Sequence, residues 1–398
     1  MWRLGFVFHE MAFGLLSVFL PLYIIATGGS LIDIGIMFAA ALFLAIPSSF
    51  FWGYVCDKTR RYKRYILLSF LSSTVILYLF TLTTNIGLLI ILYAVMAILH
   101  VAHEPPKNVL VAELYTHEEW EKTFAFYEGF TEIGWLIGLF LGFFTSAYGV
   151  GSNSILILCS GLNLLAFIQS TILVKDPPLI FERGLVSIEK TVDFTYKGVI
   201  IASKILNGLS LDERLEKENI NVFCGGLILF SLATTMLFTP LPVLFSRELA
   251  VSSSIVFALY VANSIGGVVG YFLAGGKSWG WMEKSALSKV VLFRSALTFL
   301  LIAVTRMPAS SAVLAVLAAT ILFLMGFAYA LFLVFTLSYS MELMPERKAG
   351  LFNVLVGVGG ACGSFIGPFL ADTLGFTYAL LTSGIVFFLA YIAFKVFT

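Results

Sequence analysis

The sequence predicts an all-α polytopic membrane protein, with twelve transmembrane helices in two pseudo-symmetric six-helix bundles. Three observations predict it. Of the 398 residues, 60% are hydrophobic and only 12% charged, a balance that no soluble domain needs, because its surface must stay wet. The apolar residues fall into twelve runs, each close to the roughly 20 residues a helix needs to cross hydrocarbon. The first six runs and the last six echo each other. In lipid every backbone polar group must be satisfied internally, which makes helices the economical solution.

In chain order, the first six spans are read near 4–27, 31–55, 64–84, 86–112, 121–149 and 152–174. The second six are read near 221–246, 252–275, 287–305, 310–338, 348–371 and 375–396. Residues 1–174 and 221–398 then form the two bundles, and 175–220 is a polar connection opened by a helix stop at Pro177 and Pro178. Within it, residues 192–206 carry apolar side chains at helical spacing with Lys197 and Lys204. That pattern fits an interfacial helix on the cytoplasmic leaflet, or a flexible linker. Leu20, Pro21 and Leu22 at the outer end of span 1 match Leu241, Pro242 and Val243 in span 7, and Glu113 ending span 4 matches Glu342 ending span 10. Counted from those glutamates, Gly134, Gly138 and Gly142 of span 5 meet Gly363, Gly367 and Ala371 of span 11. Small residues at every fourth position read as helix-packing seams. Internal duplication in a polytopic chain is a transporter signature, with substrate held between the halves.

Charge sets the expected topology. Basic residues fill the loops after spans 2, 6, 8 and 10, while the loops after spans 1, 3, 5 and 11 carry none. Lys and Arg are retained on the cytoplasmic side, so both termini are expected in the cytoplasm and the protein in the plasma membrane. The first apolar run extends to about Ile25 without a small-residue cleavage site, which does not fit a signal peptide. A net charge of +1 implies no nucleic-acid partner. Cys56, Cys159, Cys224 and Cys362 are too scattered for a disulfide framework or a metal cluster. No phosphate loop of the form G-x-x-x-x-G-K-[ST] is present, so ATP-driven transport is not expected. No enzyme pattern and no cofactor are expected, and the protein is expected to be a monomer.

The densest basic run joins spans 2 and 3, from Gly53 through Asp57, Lys58, Arg60, Arg61 and Lys63 to Arg64. It resembles the signature loop between helices 2 and 3 of the major facilitator superfamily, roughly G-x-x-x-D-R-x-G-R-R, with Gly53, Asp57, Lys58 and Arg61 on the pattern. Arg60 stands where the family usually has Gly, and Tyr62 where it usually has Arg. The resemblance implies a close helix approach at Gly53. It also implies an Arg61 pairing with Glu113, and an Asp57 that faces the N-terminus of span 11 and ties the bundles together. It further implies that helices 1, 4, 7 and 10 line a central path. The family's exporters often carry Gly-Pro in span 5; here it falls in span 11, at Gly367 and Pro368, with Gly138 and Leu139 in span 5.

Ionisable side chains inside a membrane are costly, so each is a functional candidate. Span 1 holds His9 and Glu10. Span 4 holds His100, His103, Glu104 and Lys107, which share one helical face because they step by three and four, and Pro105 and Pro106 interrupt that helix. Span 5 holds Glu128 and Glu132. The second half offers Tyr260, Asn263, Tyr329, Tyr339 and Asn353, with Arg294 read near the inner end of span 9 as a side chain that snorkels. The histidines and carboxylates could ligate a divalent metal; no metal is assigned, because a proton relay uses the same residues and histidine titrates near neutrality. The alternative to function is an ion-paired network, Lys107 with Glu104 or Glu128, that only locks helices. The expected activity is secondary transport of a small solute by alternating access, driven by protons through Glu10, Glu104 and the histidines. Rival readings are an uncoupled facilitator of a charged solute or divalent metal, and a non-transporting receptor.

Overall fold

The computed structural model of the chain describes residues 4–107, 120–176, 220–274, 284–343 and 349–397. They contain twelve helices long and apolar enough to cross a membrane. The first six are α1 (Leu4–Ala26), α2 (Leu31–Thr59), α3 (Tyr62–Phe80), α4 (Ile86–His100), α5 (Trp120–Ala147) and α6 (Ser152–Leu173). A 3₁₀ turn, Val101–His103, carries α4 on to Lys107. The second six are α7 (Ile220–Phe238, continued by a short helix Leu241–Arg247), α8 (Ser253–Ala274), α9 (Lys284–Arg306), α10 (Ser311–Leu343), α11 (Ala349–Thr373) and α12 (Phe376–Phe397). The stretch 192–206 and the acid Glu113 lie outside the described residues.

Local chemistry sets the ends. Ser30 opens α2 with a reciprocal capping box, its Oγ accepting from the Asp33 N–H while Asp33 accepts from the Ser30 N–H at 2.8 Å. Asn85 caps α4 through the Leu88 N–H at 3.0 Å. The turns after α1, α5 and α11 use Gly28, Gly149 and Gly375 in the left-handed region, where a missing Cβ removes the penalty.

Each set of six packs on itself, and the sets meet along two seams, α2 with α11 and α5 with α8. Duplication is visible in the hydrogen bonds. Cys159 Sγ of α6 donates to the Ala12 carbonyl of α1 at 3.8 Å, and Ser383 Oγ of α12 donates to the Ala233 carbonyl of α7 at 2.8 Å. Ala12 and Ala233 are separated by the same chain spacing that relates Pro21 to Pro242. Likewise α3 and α6 are joined by Ser160 Oγ to the Thr74 carbonyl at 2.8 Å, and α9 and α12 by Ser295 Oγ to the Gly384 carbonyl at 2.9 Å.

The glycine stripes are seams of backbone contact. A Cβ on Gly138 would collide with the Met11 carbonyl, and one on Gly363 with the Leu232 carbonyl. Gly134 lies against Val7, and its counterpart against Ile228 is Gly359. The match counted from the paired glutamates is therefore one helical turn out: Gly134 corresponds to Gly359, not Gly363. Packing contact sets the register, and the chain between Glu113 and Gly134 is one turn longer than that between Glu342 and Gly359.

The α2–α11 seam runs from Gly35 against Pro368 to Ile46 against Gly357 and stops beside Pro47, which lacks the N–H that would bond the Phe43 carbonyl. Among the described residues, a side chain on Gly53 would meet nothing within 4 Å. In the basic loop the Lys63 N–H donates to Asp176 Oδ1 at 2.8 Å and Lys63 Nζ to the Thr171 carbonyl at 2.5 Å. Arg60 closes α2 at φ 52° and ψ 29°, a left-handed conformation that explains why the family pattern favours glycine there.

Two predictions follow from backbone geometry. Gly138→Ala should destabilise the protein by about 1–3 kcal/mol through overpacking. Gly161→Ala, on a face with nothing within 4 Å, should be neutral or gain up to about 1 kcal/mol; thermal unfolding in detergent or nanodiscs reads both. Arg60→Gly should hold or raise the melting temperature and Arg60→Val should lower it, because a left-handed residue with a Cβ costs about 1–2 kcal/mol and a branched side chain costs most.

Candidate functional site

The site is built where α4 changes its hydrogen bonding. An α-helix would pair the Glu104 N–H with the His100 carbonyl. Here that N–H bonds the Val101 carbonyl instead, a 3₁₀ pattern imposed just ahead of Pro105 and Pro106, which have no N–H to give. The His100 carbonyl, relieved of the Glu104 N–H, accepts the Ser69 hydroxyl at 2.8 Å and His103 Nδ1–H at 2.6 Å.

That second bond fixes the His103 ring. With Nδ1 donating, Nε2 points at Glu104 Oε1, 3.2 Å away. A carboxylate oxygen only accepts, so the contact holds a proton, carried either by an imidazolium or by a carboxylic acid. Glu104 Oε2 meets Lys107 Nζ at 2.6 Å. The His103 side chain is 2% exposed and that of Glu104 42%, so one partner is sealed in the bundle while the other reaches open space.

A second chain of bonds leads inward. Asn163 Nδ2 donates to the Cys159 carbonyl at 2.9 Å, which leaves its Oδ1 to accept His9 Nδ1–H at 2.6 Å. His9 Nε2 is then a bare lone pair facing His100 Nδ1 at 3.0 Å. The tautomers follow from the network rather than from visible hydrogens. Ligand-capable nitrogens of His9, His100 and His103 lie within 4.8 Å of one another, so these three could hold a first-row cation, although the Nδ1 atoms of His9 and His103 are already engaged.

The structure thus brings together His9, His100, His103, Glu104 and Lys107 and separates the other candidates. Glu10, one residue from His9, turns toward α5, where its Cβ lies beside Gly134. Glu132 accepts the Ser264 hydroxyl at 2.6 Å, a hydrogen bond between α5 and α8 that crosses from one bundle to the other. Tyr260 donates to the Phe238 carbonyl at 3.2 Å and Asn263 to the Leu322 carbonyl at 2.8 Å. Asn353 is exposed near the start of α11. Glu128 lies in α5 with its side chain outside the description, as is Glu113 altogether. In the loop, Asp57, Lys58 and Arg61 are exposed, with Lys58 Nζ 5.8 Å from the Tyr54 ring centre.

Arg294 requires a correction. It does not snorkel to a helix end. It lies in the middle of α9, 1% exposed, with its guanidinium 5.1–5.5 Å from the ring centres of Phe230, Phe238, Tyr329 and Phe387. Its surroundings are the second-half copy of the histidine cluster. By the spacings that relate the duplicated hydrogen bonds and the paired glutamates, Phe230 stands at the place of His9, Tyr329 at His100, Phe332 at His103, Phe387 at Asn163 and Arg294 at Ser73. The ring contacts repeat: His9 meets His100 and His103, and Phe230 meets Tyr329 and Phe332. Reading the sequence missed Asn163, Ser69 and Arg294 as site residues; the duplication spacing applied to spans 3 and 9 would have placed Arg294 beside the cluster's counterpart.

Comparison with known proteins agrees with the fold. No curated protein is similar in sequence. Among solved structures, a proton-dependent oligopeptide transporter studied for substrate recognition superposes with a TM-score of 0.76 at 13% identity, covering 100% of this chain and 97% of that one. The human organic anion transporter MFSD10 (TETRAN) gives 0.68 at 14% identity, with 99% and 97% covered. A bacterial homolog of the human lysosomal transporter Spinster, in an inward-facing and occupied conformation, gives 0.66 at 14%, with 100% and 95% covered. The family model of the Major Facilitator Superfamily matches residues 4–353, and the chain belongs to that family.

Proposed function

We propose that this protein is a secondary transporter that moves a small solute by alternating access and couples it to protons at the Glu104–His103 contact. The observation that carries the reading is the orientation of His103, whose Nδ1–H is committed to the His100 carbonyl while Nε2 faces Glu104 Oε1 at 3.2 Å. That geometry requires a proton between the two groups, and removing it sets a ring lone pair against a carboxylate. Glu104, on the exposed side, exchanges the proton with the central path; Lys107 holds the second carboxylate oxygen, and His100 and His9 extend the chain inward. The titration of this contact also supplies a reason for the two bundles to change partners: a lost proton rearranges α4, one of the helices expected to line the path. The printed descriptions of the similar structures name peptides and organic anions, which supports a small-solute substrate without fixing its class.

In the same reading the basic-loop end and both termini face the cytoplasm in the plasma membrane, residues 175–220 connect the bundles on that side, and the chain works as a monomer.

Difference infrared spectroscopy across a pH titration tests the coupling site without a known substrate. A carboxylic acid band should titrate in the wild type and vanish in Glu104→Gln, and gradient-driven uptake should be lost in the same variant while exchange persists. A titrating band unchanged in Glu104→Gln would place the coupling elsewhere. Topology is tested with single cysteines, Lys63→Cys and Asp212→Cys, which should resist a membrane-impermeant thiol reagent outside intact cells; labelling of either one contradicts the orientation.

A further inference from the structure

Arg294 carries a permanent positive charge and is 1% exposed. Its Nε and Nη1 atoms have no hydrogen-bond partner among the described residues. A buried charge is tolerated only when it is paired. The four aromatic rings answer part of that demand, because their π faces attract a cation. They offer nothing to the N–H groups at the guanidinium edge.

Among the described residues no acid of the second bundle forms an ion pair with it. That bundle's acidic residues are Glu248, Glu283, Glu342, Glu346 and Asp372, all at span ends or between spans. Arg294 is ten residues into α9, about 15 Å along the axis at 1.5 Å per residue. In the first bundle Glu104 is held by His103 and Lys107, and Glu132, which reaches the second bundle, accepts the Ser264 hydroxyl. A solute from outside the protein is then the source of negative charge to consider for the guanidinium edge.

Position tells where from. Two cage members, Phe238 and Tyr329, lie on α7 and α10, and Tyr329 is 38% exposed. Phe230 and Phe387 are sealed at 2% and 0%. Tyr329 is therefore the cage ring that meets open space. A planar guanidinium fork matches the two oxygens of a carboxylate, as it does those of a phosphate, bidentately, and an aromatic wall suits the organic body of an organic acid.

We propose that Arg294 is the docking group for the anionic end of the transported solute, and that this solute is a carboxylate-bearing organic acid that passes Phe238 and Tyr329 to reach it. The inference rests on the transporter reading but not on proton coupling at Glu104. Site and coupling group then lie in opposite bundles, with the anion bound by the second half and the proton by the first.

The test uses the full chain purified into nanodiscs and follows thermal unfolding, because a ligand that binds only the folded state raises the melting temperature. The probes are benzoate against benzamide, succinate against succinamide, and inorganic phosphate. Benzoate or succinate should raise the melting temperature in a saturable way, and the neutral amides should not. Arg294→Met, which keeps bulk and removes charge, should lose that response at least tenfold in affinity. Glu104→Gln should keep it, which separates a failure of this inference from a failure of the coupling site. Equal responses to acid and amide, a response to phosphate alone, or no response to any carboxylate overturns the proposal. So does wild-type benzoate affinity in Arg294→Met or, should that variant not fold, in Arg294→Lys, where a point charge replaces the fork.

Discussion

One backbone carbonyl, that of His100, organises the polar half of this molecule. Two consecutive prolines deprive α4 of two donors, the Glu104 N–H shifts to Val101, and the His100 carbonyl, in a tightened turn, also takes side-chain donors. Ser69 and His103 supply them. The orientation of the His103 ring and its contact with Glu104 descend from that change in the helix ladder. A continuous α-helix would occupy the carbonyl with its own backbone and release the His103 ring to other rotamers. The cluster is bonded at both ends, to Lys107 through Glu104 and to Asn163 of α6 through His9.

The same physics explains what could be read from the sequence. The twelve spans were legible because hydrocarbon imposes a length and excludes charge. His100, His103, Glu104 and Lys107 were legible as one face because helical periodicity is local. Glu10 was legible only as a charge: its neighbour His9 enters the cluster, but one residue is about 100° of helix rotation, and Glu10 turns to α5. Asn163 had no local signature, being a single amide in an apolar run whose partner lies 154 residues away. Arg294 was visible as a lone charge, yet nothing local distinguishes a side chain that reaches water from one closed in by rings on three other helices. The glycine stripes announced a seam and left its register to the contacts.

The two bundles share a scaffold and differ in chemistry. At equivalent positions the first half places imidazoles and an amide, and the second places phenyl rings and a phenol around one guanidinium. The first cluster is built of imidazoles around a carboxylate; the second has a guanidinium and polarizable aromatic walls. Glu132 and Ser264 share a hydrogen bond between the bundles, while the pseudo-equivalent α2–α11 seam is apolar around Leu42, Ile46 and Gly357.

The duplicated bonds that hold each bundle run from a small donor to a main-chain carbonyl: Cys159 to Ala12, Ser383 to Ala233, Ser160 to Thr74, Ser295 to Gly384. An acceptor of this kind is present whatever residue occupies the position. Only the donor is constrained, and then only to carry a thiol or hydroxyl on a short stem. Divergence can therefore rewrite most of the apolar surface and half of each contact without moving a helix. Two halves with little recognisable likeness, and superposable structures at 13–14% identity, are the expected residue of drift on a frame whose recognition code is written largely in backbone.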